Sequence, residues 1–338
     1  MARKVLPTPV LYSYEASPFG KKAVNMLLLK QIPHTRVEVS MTLPRPELSE
    51  TMGITYRRIP VLAIGRDVYA DTSLIASTLE RRYPSSAGYG TLFPQRKGGG
   101  SSDTGMVKTL VMYYFDRTVF PLAASSLPFQ KLPEAFVKDR SDYMDKPLHV
   151  QARPEAKQRL KSEIASHVSL LEEQLSDGRE WLLDTEAPSL ADISAHTLFG
   201  WAAGFKPLLL GDLFDPNAVP HTVKWISRMS EHLRAAQNSN AAPFEKMTSE
   251  QALRFVQEGG VEDHTGFDAA EAERLGLKPG QTVAVTPTDT GKNHPTVGPL
   301  VGLNKEEVVI RVKGTCGIPL HAHFPRLGFS IRIHNAKL

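Results

Sequence analysis

Arg58-Ile59-Pro60-Val61-Leu62-Ala63-Ile64, then Gly65-Arg66, then Asp67-Val68-Tyr69-Ala70-Asp71-Thr72-Ser73, is the stretch on which the fold turns. Two short apolar runs flank a Gly-Arg pair, which is the pattern of an antiparallel hairpin. Asp71-Thr72-Ser73 then offers helix-capping side chains, and a helix is expected to run from there to about Tyr83-Pro84.

Working upstream, Lys4 to Tyr12 is an apolar, β-branched run, Ser17-Pro18 marks a helix start, and Ala23 to Lys30 carries apolar residues at helical density. After the Ile32-Pro33 turn, Thr35 to Ser40 alternates with period two, and Pro44-Arg-Pro-Glu47 opens a loop or short helix. The order βαβ, loop, ββα is an α/β thioredoxin-like plan over residues 1–88, with Pro60 where that plan places a cis proline. Downstream, glycine, serine and proline gather around Gly98-Gly99-Gly100-Ser101-Ser102, so residues 89–105 read as a flexible linker. Strand signals vanish over 106–238, where Leu160, Ile164, Val168, Leu171 and Leu175 repeat at helical spacing and mark an all-α domain. Within it, Ser189-Leu190-Ala191-Asp192 is a capping box opening the apolar helix Ile193 to Trp201, a structural role. Residues 239–338 read as a small β-rich appendage: helices over Ser249 to Gln257 and Asp268 to Leu275, then period-two runs at Gln281 to Val285, Glu307 to Val312 and Phe329 to Ile333.

The 338 residues are 41% hydrophobic and 22% charged, the balance of a folded chain rather than a disordered one. Cys316 is the only cysteine, which excludes an intramolecular disulfide, a multi-cysteine zinc site and an iron–sulfur cluster held by this chain alone. Forty basic and 36 acidic residues leave a net charge of +4 with the two signs interleaved, so no nucleic-acid partner is expected. Apolar runs are short and Met1-Ala-Arg-Lys-Val-Leu6 lacks a signal-peptide core, so neither membrane insertion nor secretion is expected. Ala336-Lys337-Leu338 is a conservative variant of the Ser-Lys-Leu address, which makes the expected location cytoplasmic or peroxisomal.

Ser17 follows the first strand and sits in the first turn of the first helix, where unpaired backbone N–H groups and the helix dipole favour an anion. Its hydroxyl is too weak an acid to act as a nucleophile without a base, but it can donate a hydrogen bond to a bound thiolate. Lowering a thiol by about two pKa units takes about 2.7 kcal/mol, within reach of one charge-assisted hydrogen bond plus the dipole. A helix cap is the simpler reading of Ser-Pro alone. Asp71-Thr72-Ser73 offers N–H groups, hydroxyls and a carboxylate together, suited to one zwitterionic end of a peptide. With the backbone of Arg58-Ile59-Pro60 pairing like an added strand, the three elements describe a groove for a tripeptide.

Ser17-Pro18-Phe19-Gly20-x-Lys22, Ile32-Pro33, Val37-Glu38-Val39, Arg45-Pro46-Glu47, Arg58-Ile59-Pro60-Val61-Leu62 and Asp71-Thr72-Ser73-Leu74-Ile75 together resemble the amino-terminal domain of glutathione transferases. The tau and omega classes are the nearest in pattern. Pro188 to Ser194 and Pro220 to Met229 are similar to that family's capping-box helix and late helix, so the resemblance covers about residues 5–236. It implies that Ser17 contacts the sulfur of glutathione, Phe19 packs beside it, and Arg45 approaches the glycine carboxylate. It further implies that Arg58 and Ile59 with Pro60 hold the cysteinyl backbone and that Asp71 and Thr72 hold the γ-glutamyl end. Tyr12, Tyr14, Tyr113 and Tyr114 are the expected walls of an apolar substrate pocket. Asp71-Thr72 stands where Glu-Ser is usual and Lys22 where arginine is common. With no cysteine at position 17, thioltransferase chemistry is not expected.

The appendage has no counterpart in the ordinary family plan. Its His321-x-His323 pair would face one side if it lay on a strand, but two histidines without a nearby carboxylate or third ligand do not usually bind a metal, so none is expected. Cys316 reads as an incidental thiol in a turn and His196 as a core histidine. The resemblance implies a homodimeric transferase, with detoxification as one role, in which Ser17 steadies the glutathione thiolate for attack on a small apolar electrophile. Two alternatives stand beside it: a glutathione-dependent double-bond isomerase of secondary metabolism, and a non-catalytic module that binds or assembles partners through the appendage.

Overall fold

The computed structural model describes residues 6–148, 154–262 and 266–334. The amino-terminal elements follow the expected order: β1 (Val10–Ser13), α1 (Pro18–Leu29), β2 (His34–Glu38), α2 (Pro46–Ser49), β3 (Val61–Ile64), β4 (Asp67–Ala70) and α3 (Thr72–Arg82). β1 and β2 pair in parallel across α1, while β1–β3 and β3–β4 are antiparallel. Gly65 turns the β3–β4 hairpin at φ +62°, and a Cβ there would lie 2.6 Å from the Gly260 carbonyl, so glycine is required twice over. The Ile59–Pro60 peptide is cis, and so is Leu43–Pro44.

The helical domain packs on the α1/α3 face. Its first helix is continuous over 104–125, but Leu110–Val119 is wound more widely, with i→i+5 hydrogen bonding, ahead of Pro121, which cannot supply the usual N–H. Helices Glu134–Met144, Pro154–Leu175, 190–204 and Pro220–Asn238 complete it. The Ser189 capping box forms as read: Ser189 N–H and Oγ–H both donate to Asp192, at 2.9 and 2.8 Å, and Trp225 Nε1 donates to the other carboxylate oxygen at 3.1 Å. The first part of the 89–105 segment, up to Lys97, is tied down, whereas Gly98 to Ser101 are exposed. Leu92 is fully buried, and the N–H groups of Lys97, Glu186 and Leu190 close backbone bonds across it.

Residues 239–334 form the strand-rich extension, but they do not stand apart. β5 (Phe244–Met247) pairs in parallel with β2. β6 (Thr282–Pro287), β7 (Thr296–Leu303), β8 (Glu307–Lys313), β9 (Pro319–Pro325) and β10 (Phe329–Ile333) form an antiparallel set, and β9 pairs in parallel with β4. One ten-stranded sheet results, in the order β10-β6-β7-β8-β9-β4-β3-β1-β2-β5. Both faces of β3 and β4 are therefore buried. Leu11, Leu62, Ile64 and Tyr69 face the helical domain; Val10, Tyr12, Val61, Ala63 and Val68 face a second core with Val283, Leu300 and Phe324. No helix among the described residues is long and apolar enough to cross a membrane.

Candidate functional site

Ser17 is the N-cap of α1, in extended backbone, and its Oγ accepts the Gly20 N–H at 3.0 Å. A side chain at Gly20 would place its Cβ 2.0 Å from Ser13 Oγ, so glycine there lets α1 approach β1 closely enough to form the cap. Among the described residues no acceptor takes the Ser17 hydroxyl proton, and with 3% of the residue exposed, water competes little for it. The hydroxyl can thus serve both roles: acceptor for the helix, donor to a ligand.

The main chain of Ile59, beside the cis Pro60, forms no hydrogen bond to any described residue, although Ile59 is half-buried. Unpaired backbone groups in such a place suit an extended peptide. Asp71 caps α3 at φ +74°, a conformation disfavoured for any residue with a side chain. Its Oδ1 accepts from Ser73 N at 3.0 Å and Ser73 Oγ at 2.7 Å, which leaves Oδ2 for an ammonium. Thr72 is buried at the first position of the helix, where N–H groups are unpaired.

The side chain of Arg45, expected near the glycine carboxylate, is engaged within the protein, and so is that of Arg58, whose expected role is through its backbone. Arg45 is 5% exposed and donates to the carbonyls of Ser40 at 2.8 Å, Met41 at 3.2 Å and Arg57. It fixes the loop before α2 and has no face for a ligand carboxylate. Arg58 is held by the β6–β7 connection, donating to Asp289 and, at 2.6 Å, to the Thr290 carbonyl. Burial works against ionisation of Asp289, and Arg58 more than offsets it, holding this carboxyl below its usual range. The same connection reaches helix Glu134–Met144: Gly291 N–H donates to Tyr143 O at 2.8 Å, and His294 Nε2 lies 3.0 Å from Asp142. The extension therefore closes one wall of the groove.

Of the tyrosines expected to line the apolar pocket, Tyr12 does not. It is fully buried in the second core, its hydroxyl has no partner among the described residues, and burial, with Glu47, pushes its phenol upward. Alternation on β1 turns Tyr12 away from the helical domain. Tyr14 is half-buried and accepts from Arg140 Nη2 at 3.1 Å. Tyr114 lies 3.0 Å from His167 Nδ1 and stacks edge-on with Phe115. Tyr113 lines a cavity of about 270 Å³ together with Ser73, Leu74, Met112, Leu190 and Leu327, between α3, helix 104–125 and the extension. An apolar surface not foreseen from sequence starts at Phe19: its ring meets Phe120 edge-on at 4.6 Å, Phe120 stacks on Trp201 at 6.1 Å, and Trp201 on the partly exposed Phe205 at 5.7 Å. The widened helix 104–125 brings Phe120 there, and places Asp116 against Lys22, with their charged atoms 2.7 Å apart. His196 is a satisfied core histidine, 2.8 Å from Ser230 Oγ and held neutral by burial at about 4.

The architecture is thus a thioredoxin-type sheet whose first helix is capped by a serine, joined to an all-α domain and extended by further strands. Residues 11–87 match the family model described as the glutathione S-transferase N-terminal domain, and residues 118–238 match a domain of unknown function, DUF7962. A GST-like protein from Pseudomonas syringae of known crystal structure is 25% identical over 97% of this chain and 100% of its own, with a TM-score of 0.67. That match runs through most of the extension, so the added strands have a counterpart in another chain. The tau class glutathione S-transferase of mango, Mangifera indica, is 15% identical over 69% of this chain and 97% of its own, with a TM-score of 0.51. Among curated proteins no significant relative is found. The chain is thus similar to the glutathione S-transferase amino-terminal domain over residues 11–87 and glutathione transferase-like in fold as a whole.

Proposed function

We propose that the protein is a glutathione-dependent transferase in which the Ser17 hydroxyl donates to the sulfur of bound glutathione and stabilises its thiolate. The observations that carry this reading are that, among the described residues, no acceptor takes the Ser17 hydroxyl proton at the N-terminus of α1 and the main chain of Ile59 has no hydrogen-bond partner. The sulfur needs no base from the protein: its proton passes to water, favoured by the hydrogen bond and the dipole. The thiolate attacks the carbon of an apolar electrophile held on Phe19, Phe120 and Trp201, forming the C–S bond as the carbon–leaving-group bond breaks and the leaving group, chloride in a chloronitrobenzene, departs with its electron pair into solvent. Asp71 and Thr72 take the γ-glutamyl end. The glycine carboxylate is left without a cation from Arg45 or Arg58, so recognition is concentrated on the γ-glutamyl-cysteinyl part. Homodimerisation belongs to the same proposal, as does peroxisomal delivery through Ala336-Lys337-Leu338, which lies outside the described residues. The test is turnover of glutathione with a chloronitrobenzene: Ser17→Ala should lower kcat/KM by about a hundredfold with the fold intact. An unchanged value would remove Ser17 from the mechanism.

The commitment of Arg45 and Arg58 also favours a second reading, a transferase-like body whose groove is closed by its extension and which serves assembly. Absence of glutathione binding at millimolar concentration would select it.

A further inference from the structure

The parallel pairing of β9 with β4 sets Asp67 opposite His321 and Tyr69 opposite His323. Alternation turns the two histidines to one face of the sheet, and the carboxylate missing from the local sequence arrives there from residue 67. His323 Nε2 lies 3.0 Å from Asp67 Oδ1, His321 Nδ1 lies 3.7 Å from the same oxygen, and one donor atom from each of the three residues lies within 4.8 Å of the others. Ligand atoms on a tetrahedral zinc ion are separated by about 3.3 Å, given metal–ligand distances near 2.0–2.1 Å. We propose that Asp67, His321 and His323 form a binding site for a divalent transition-metal ion of the zinc type, pinning the added strand β9 to the edge of the amino-terminal domain.

The surroundings are those of a metal site rather than of a lone ion pair. His323 Nδ1 lies 2.8 Å from Glu307 Oε2, so a carboxylate fixes the ring and leaves Nε2 as the ligand atom. Asp67 is oriented through its other oxygen, which accepts the Glu262 N–H at 2.6 Å and lies 3.4 Å from Arg82 Nη1, so Oδ1 remains for a monodentate bond. Asp67, His323 and Glu307 are almost fully buried, whereas the His321 side chain is 24% exposed and gives an ion a way in. Its Nδ1, 3.7 Å from Asp67 Oδ1, is near that oxygen but too far for a hydrogen bond. Two imidazoles and one carboxylate suit zinc, with water in the fourth position. Binding replaces the proton that His323 Nε2 donates to Asp67 and releases it to solvent. The site lies at the start of β4, and the proposed γ-glutamyl contacts lie just past its end, so this inference stands independently of the glutathione reading.

The test uses full-length protein stripped with a chelator and titrated with Co²⁺ and then Zn²⁺. One equivalent of Co²⁺ should give visible d–d absorption of tetrahedral intensity, Zn²⁺ should displace it, and Zn²⁺ should raise the unfolding temperature. His321→Ala, which removes a partly exposed ligand whose side chain has no hydrogen bond to any described residue, should keep the wild-type circular dichroism and weaken binding by about a hundredfold or more. Absence of binding at micromolar metal overturns the proposal, and so does wild-type affinity in His321→Ala, which would place the ion elsewhere.

Discussion

Ser17 gives its oxygen to Gly20 N–H and keeps its proton, and that division lets one hydroxyl serve both the helix and a ligand. The cap and the carboxylate of Asp71 were legible in the sequence because both roles depend on neighbours two or three residues away. The side-chain engagements of Arg45 and Arg58 were not: the groups that occupy them include ones from 12 to 232 residues distant, which no local pattern announces. A direct consequence is that γ-glutamylcysteine should bind within about threefold of glutathione, which competition against the glutathione-dependent reaction would measure. A loss of tenfold or more would mean that a cation reaches the glycine end. His34 carries a separate expectation. Burial, with Arg36 donating to its Nε2, lowers it to about 4, while Nδ1 donates to Ile32 O at 2.9 Å. The unfolded chain binds this proton near pH 6.5 and the folded one only near 4, so its contribution is complete above 6.5 and is lost on acidification through that window, by about 3 kcal/mol. Denaturant midpoints at pH 7 and 4.5 should show the fall, and the His34 ring signals should not titrate above pH 5.

Helix 104–125 and α1 meet through Lys22 and Asp116. Lys22 is 1% exposed, and burial pushes the Asp116 carboxyl upward against the pull of this one ammonium. Lys22→Met should therefore destabilise the protein by about 3 kcal/mol, and adding Asp116→Leu should recover most of the loss, as read by denaturant titration. Equal stability of the single variant would show that the pair joins nothing. Helical spacing placed the tyrosines of this helix on the first element of the second domain, yet it could not foresee the widened turns ahead of Pro121. A change from i→i+4 to i→i+5 rotates every later side chain, and so Phe120 rather than Tyr114 meets Phe19. Strand β1 makes the same point in two-residue periodicity: Tyr12 is adjacent in sequence to groove residues but faces the other core.

At the scale of the whole molecule, the extension continues the amino-terminal sheet on both edges, through β5 on β2 and β9 on β4. Much of the strand content of 239–338 was readable from period-two runs, whereas β5 and β7 were missed, β7 because Gly298, Pro299 and Gly302 interrupt its pattern, and β9 was met only as the strand on which His321 and His323 would share a face. The docking was unreadable because strand pairing between residues about 250 positions apart leaves no local mark. Removing residues 239–338 would open the edges of β2 and β4 and uncover Val10, Tyr12, Val61 and Val68. The truncated chain should be insoluble or aggregate on size-exclusion chromatography; a soluble, cooperatively folding 1–238 would show that the extension is an accessory rather than part of the core.

The central claim is a thiolate held by Ser17, and the most direct measurement is ultraviolet difference absorbance of glutathione bound to the full-length protein, followed against pH. The account predicts a thiolate signal that persists about two pH units below the free thiol's pKa and shifts back toward it in Ser17→Ala. A bound thiol that titrates like free glutathione in both proteins would contradict it.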